Sequence, residues 1–200
     1  HHDALFDCRA EAEVLRQIRD PFVLSAYDVR IQNDACYLVT EFADRGTLGD
    51  YLQTRPNHKL ELGEALEVAK SVCRGLVAAH AQGVVHRDVK PGNIYLFSQR
   101  AESPAAKLAD FNIARVPHKP SDKPHTEAGA FVGSWLYTSP EQLNGEADAR
   151  SDLYAWAIVF FEMLTGEHPT VSLLCPDPPH YPRFDEFPLE LFCARGVPNE

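Results

Sequence analysis

The sequence predicts an α+β chain, in which a small β-bearing part is followed by a mostly helical one. Three observations predict it. Two runs rich in β-branched and aromatic residues lie within the first 42 residues, a strongly amphipathic stretch covers Leu62 to Gln82, and an apolar run covers Leu153 to Leu164.

The elements follow in order along the chain. From Cys8 to Arg19, Val14, Leu15 and Ile18 recur at helical spacing, and Asp20-Pro21 stops the helix because proline cannot continue it. Tyr27 to Ile31 and Ala35 to Phe42 read as strands, separated by the turn residues Gln32-Asn33-Asp34, and together they make a hairpin. Thr47 to Thr54 opens with a Thr-x-x-Asp capping pattern. Leu62 to Gln82 places Leu62, Ala65, Leu66, Ala69, Val72, Cys73, Leu76 and Val77 on one helical face. Short β-like pieces at Ile94 to Phe97 and Lys107 to Ala109 flank a polar loop, and an irregular stretch runs from Asp110 to Glu141. The run LYAWAIVFFEML is too short to cross a bilayer and contains Glu162, so it reads as a core helix buried on nearly all sides. From His168 onward the chain is proline-rich and gives no element.

Composition narrows the function classes. A net charge of -10 argues against a nucleic-acid footprint, since phosphate backbones select clustered Lys and Arg. The cysteines Cys8, Cys36, Cys73, Cys175 and Cys193 are odd in number, without a C-x-x-C pair, and read as reduced, mostly buried thiols. No export signal or membrane contact is read within the segment, and a cytoplasmic location is expected.

The chemistry concentrates at His86-Arg87-Asp88-Val89-Lys90-Pro91-Gly92-Asn93, which fits H-R-D-x-x-x-x-N. Asp110-Phe111-Asn112 and Ser139-Pro140-Glu141 follow in order. With these motifs, and stretches such as VVHRDVKPGNIYL, the chain resembles the Hanks-type (eukaryotic-like) protein serine/threonine kinases, bacterial members in particular, over roughly residues 8 to 168. The resemblance implies a bilobal protein-kinase-like fold. Its small lobe is incomplete, starting at the first long helix, and its large lobe is mostly helical. It implies a partial kinase domain over 1-200, with a residual small lobe at 1-42 and a large lobe at 43-200 whose end is incomplete or divergent.

Phosphoryl transfer asks a protein mainly to hold two oxygens in line and to neutralise charge. The resemblance casts Asp88 as the base for the substrate hydroxyl and Lys90 as the cation beside the γ-phosphate, typical of Ser/Thr specificity. Asn93 and Asp110 become Mg²⁺ ligands, a role suited to hard oxygen donors. Arg87 becomes the partner of a phosphorylated activation segment in which Thr126 leads Ser121 as the candidate, and Ser134 the hydroxyl near Asp88 and Lys90. Glu11, with Glu13 competing, aligns with the helix glutamate that pairs the ATP-binding lysine. Thr40 reads as gatekeeper, the backbones of Glu41 and Ala43 as adenine partners, and Tyr95 as the adenine floor. Leu15, His86 and Phe111 form a candidate spine anchored by Asp152. ATP and Mg²⁺ are the implied cofactors, and a protein is the implied substrate. A dimer is the implied arrangement for trans-phosphorylation.

Departures from the family pattern are specific. No glycine-rich loop or lysine-bearing strand precedes Glu11, and the first lysine is Lys59, so the chain alone is expected to bind ATP weakly and transfer phosphate poorly. No arginine after His168 is a clear partner for Glu141. Asn112 replaces the glycine of Asp-Phe-Gly and, of the larger residues, tolerates positive φ best. Two rivals stand beside the kinase reading. One is a non-catalytic kinase-like module that binds a partner, favoured by the missing lysine and opposed by the intact Asp88, Lys90, Asn93 and Asp110. The other is a metal-dependent hydrolase, which lacks an H-x-x-x-H or paired-carboxylate cage.

Overall fold

The computed structural model describes residues 12–32, 35–98, 105–111 and 136–169. Helix α1 is described over 12–17; of the expected stripe Leu15 is buried, with Ile18 just beyond, Val14 is half-buried, and Ala12 joins the buried side. It ends where proline requires, with the Asp20 carboxylate accepting the Phe22 N–H at 2.9 Å. Strand β1 (Ala26–Gln32) pairs antiparallel with β2 (Ala35–Thr40), in the register Val29↔Leu38 and Ile31↔Cys36, with an irregularity between Ala26 and Asp28. The second strand is shorter than its sequence pattern because the chain leaves the ladder after Thr40, and Phe42 is 85% exposed.

Helix α2 (Leu48–Thr54) begins as the capping pattern dictates: the Thr47 hydroxyl accepts the Asp50 N–H at 3.1 Å and donates to the Asp50 carboxylate at 2.7 Å. Helix α3 (Leu62–Ala81) is present, but its buried face is not the predicted one. Ala65, Val72 and Leu76 are buried as expected, together with Val68, Ser71, Gly75 and Ala79, whereas Leu62, Leu66, Cys73 and Val77 are exposed. Close approach decided the face: a Cβ on Gly75 would lie 2.7 Å from the Phe22 carbonyl oxygen, so the small residues turn inward and some large ones outward. Cys73 is accordingly an exposed free thiol, an exception to the expectation of mostly buried cysteines.

Strands β3 (Ile94–Leu96) and β4 (Ala106–Leu108) form a second antiparallel pair, with Tyr95 opposite Lys107. The segment before β1 lies along β4, with Leu24 N–H donating to Leu108 O at 2.8 Å and Leu108 N–H to Phe22 O at 3.0 Å. Helix α4 (Pro140–Leu143) is capped by Ser139. Helix α5 (Ala149–Thr165) starts at a capping box in which Asp148 and Ser151 exchange bonds. It buries Trp156, Ile158, Val159, Phe161, Met163 and Leu164 but leaves Leu153 exposed, so one edge of the pillar meets solvent. One apolar cluster joins Leu15 of α1, Val72 and Leu76 of α3, Ile94 and Leu108 of the β3–β4 pair, and Val159 of α5.

Gly166 ends α5 at φ 76°, where a Cβ would meet the Asn57 carbonyl oxygen at 1.9 Å. Gly166→Ala is expected to destabilise the protein by about 2–4 kcal/mol through backbone strain and overlap. Urea unfolding midpoints of the two proteins check this.

Candidate active site

The site is built on a carboxylate. Asp152, in the first turn of α5, is 1% exposed. Its Oδ1 accepts the Arg87 N–H at 2.8 Å, and its Oδ2 accepts the His86 N–H at 2.9 Å and faces His80 Nε2 at 2.7 Å. Arg87 sits at φ 66°, a conformation that costs a non-glycine residue about 1–3 kcal/mol unless its surroundings hold it. The Asp152 bonds to consecutive amides supply that hold, and Gln142 Nε2 donates to the Arg87 carbonyl at 2.7 Å from the other side.

His86 is buried, and its partners define its tautomer. Nδ1 accepts the Asp88 N–H at 3.3 Å, so the ring proton resides on Nε2, which donates to the Ala109 carbonyl at 2.9 Å. Burial holds its pKa below the usual histidine value, outweighing the opposing pull of Asp152. The ring packs against Phe111 at 4.4 Å between centroids, and Leu15 lies in the same buried core as Phe111.

This loop presents Asp88. Its Oδ2 receives Lys90 Nζ at 2.7 Å and Asn93 Nδ2 at 3.0 Å, and Asn93 Nδ2 also reaches the Asp88 carbonyl at 2.8 Å. Both Asn93 bonds to Asp88 are made through its amide nitrogen, which leaves Oδ1 outside that pairing. The Ala109 N–H donates to Asn93 O at 3.0 Å, which brings the next residue, Asp110, alongside at φ 58° with its side chain exposed. An amide oxygen and a carboxylate are a donor pair suited to Mg²⁺, which takes few protein ligands and fills its other positions with phosphate and water.

The remaining candidates divide. Thr40 ends β2, and its hydroxyl donates to the Glu41 carbonyl at 3.2 Å. The Glu41 N–H is committed to Ser25 O at 3.0 Å, and its carbonyl, which takes the Thr40 hydroxyl on one lone pair, has a second lone pair for a ligand. Arg45 N–H donates to Leu96 O at 3.3 Å and Leu96 N–H to Gly46 O at 2.8 Å, which carries the segment holding Ala43 past Tyr95. Glu141 accepts the Ser151 hydroxyl at 3.0 Å. Arg87 Nε is buried without a hydrogen-bond partner among the described residues. Glu13 is exposed, and Glu11, Asn112, Ser121, Thr126 and Ser134 lie outside the described residues.

Sequence reasoning missed His80, Gln142 and Lys107. Nothing local marks His80, which is 72 residues from the carboxylate it faces. Lys107 Nζ meets Glu41 Oε2 at 2.6 Å, a pairing that only the folded chain brings together.

The family model for the protein kinase domain matches residues 2–173. The chain belongs to the protein kinase domain family. It is 37% identical over 161 residues to the serine/threonine-protein kinase Pkn1 of Myxococcus xanthus, covering 80% of this chain and 22% of the relative. It is 34% identical to the serine/threonine-protein kinase PknB of Mycobacterium leprae, covering 82% and 26%, and 36% identical to PknB of Mycobacterium tuberculosis, covering 80% and 25%. The chain thus spans about a quarter of the length of these relatives. Among solved structures it is similar to Rad53 1-466 in complex with AMP-PNP, with a TM-score of 0.67 and 19% identity, over 97% of this chain and 47% of that one. That likeness shows the α+β kinase fold expected from the motifs.

A second buried histidine makes stability depend on pH. His168 packs edge-on against Tyr137, whose hydroxyl donates to Glu162 at 2.7 Å, and burial pushes its pKa from 6.5 down to about 4. A histidine with a depressed folded pKa contributes stability that is present above the unfolded value and lost as pH falls through the window between the two. The loss for His168 should therefore run from pH 6.5 to about 4, at up to about 1.4 kcal/mol per pH unit. Unfolding free energies measured across that window should fall less steeply in His168→Phe than in the wild type.

Proposed function

We propose that the protein carrying this chain is an ATP- and Mg²⁺-dependent protein serine/threonine kinase, with residues 1–42 belonging to its small lobe and 43–200 to its large lobe. The observation that carries the reading is the Asp88 carboxylate, held by both Lys90 and Asn93 at 2.7 and 3.0 Å beside Asp110. A carboxylate fixed by a cation and an amide is oriented to accept a hydroxyl proton from a protein Ser or Thr. Lys90 would shift from Asp88 toward the transferring phosphoryl group as charge develops there. Asn93 Oδ1 and the Asp110 carboxylate would hold Mg²⁺, which when bound neutralises phosphate charge. The Glu41 carbonyl and the Ala43 backbone would meet adenine above Tyr95.

Arg87, with its buried Nε, is the proposed partner for a phosphorylated activation segment, with Thr126 as the first candidate. Trans-phosphorylation within a dimer would supply that phosphate. A cytoplasmic location for this segment is part of the proposal. Among the described residues no helix is long and apolar enough to cross a membrane.

The test is transfer of labelled γ-phosphate to protein Ser or Thr by the full-length protein with Mg²⁺. Asp88→Asn should lower the rate by roughly 10²–10⁴-fold, the range for loss of a positioned base. A folded wild type that transfers nothing would overturn the kinase reading in favour of a binding module.

A further inference from the structure

Lys107 is not among the transfer residues above, yet its ion pair with Glu41 is well shielded, at 13% and 17% side-chain exposure. Glu41 begins the segment proposed to meet adenine and is clamped through several of its atoms. Its N–H donates to Ser25 O at 3.0 Å, its Oε1 accepts the Ser25 N–H at 2.8 Å, and its Oε2 receives Lys107 Nζ at 2.6 Å. Lys107 stands directly opposite Tyr95 in the β3–β4 ladder, and directly opposed residues project from the same face of a sheet. Its ammonium also lies 5.0 Å over the Phe97 ring, a second contact that holds it in place.

One ammonium therefore joins the strand end that borders the proposed adenine slot to the hairpin that carries its floor. We propose that Lys107, acting through Glu41, is a positioning residue for the adenine ring: it sets the spacing between the Glu41 carbonyl and Tyr95. This rests on the adenine-nucleotide reading above. Removing the cation leaves the shielded Glu41 carboxylate with the Ser25 N–H on Oε1 but no counterion at Oε2, so the hinge shifts to rehydrate that oxygen and the slot loses its spacing. Lys107→Arg keeps the charge and can re-form the pair.

Calorimetric binding of adenosine and of ATP to the full-length protein tests this, with Lys107→Met, Lys107→Arg, Glu41→Gln and the double variant Glu41→Gln/Lys107→Met. Lys107→Met is expected to weaken adenosine and ATP alike by about tenfold, with most of the loss restored in Lys107→Arg and non-additive effects in the double variant. The KM for ATP should rise by a similar factor, with kcat within about twofold of wild type. Unchanged affinities with a lowered thermal midpoint would reduce the pair to a structural role and overturn the proposal. So would weakened ATP with unchanged adenosine, which would make Lys107 a reader of phosphate. A wild type that binds adenosine but transfers no phosphate sinks the kinase reading alone, and the same variants still decide the positioning role. A wild type that binds neither compound overturns both.

Discussion

The buried carboxylate of Asp152 is the constraint on which the site depends. Its oxygens accept consecutive backbone amides, at His86 and Arg87, so the loop between α3 and β3 can neither rotate nor slide along α5. The left-handed Arg87 that this requires turns the chain so that Asp88 emerges toward Lys90 and Asn93. A carboxylate this deep is costly to desolvate, and its cost is offset because amide donors and His80 reach it at hydrogen-bond distance.

The same loop is fastened a second time from the strand side. His86 donates to Ala109 O, Asn93 O accepts from Ala109 N–H, and Phe111 packs on the imidazole. Asp88 and Asp110 therefore belong to one hydrogen-bonded unit, although they lie on opposite sides of the β3–β4 hairpin in the chain. The proposed base and the proposed metal-binding carboxylate must keep their spacing through a reaction cycle, and neutral hydrogen bonds in a dry interior hold it better than solvated charges would. His86 fills this role as a neutral imidazole, because a charged ring would bring two N–H donors and Nδ1 could no longer accept the Asp88 amide.

Core packing carries the unit. Helix α3 presents Gly75 to the Phe22 backbone, and Leu108 lies against the same spot, so the segment leading into β1, the β4 strand and α3 meet at a point too close for a side chain. Helix α5 contributes Val159 and Met163 to the common cluster. Thus the strands that hold the proposed hinge and the helix that holds Asp152 share one core, and a shift in either is felt at Asp88.

Much of this was legible in the sequence. The motifs at 86–93 and 110–112 marked the residues proposed as base, lysine and metal oxygens, because phosphoryl-transfer chemistry needs those residue types at short, fixed spacings within a loop. Proline at 21, the Thr47 cap and the β-branched runs at 26–40 gave element boundaries, since these signals act within a few residues. The buried face of α3 was legible only in part: hydrophobicity favoured Leu66 and Val77, and the close approach at Gly75 turned them to solvent. The sequence by itself determined the fold class, the family and the identity of the chemical groups. Only the tertiary structure decided how His80, Gln142 and Lys107 serve those groups, because their partners are 72, 55 and 66 residues away in the chain, and no local spacing encodes a contact made across the core.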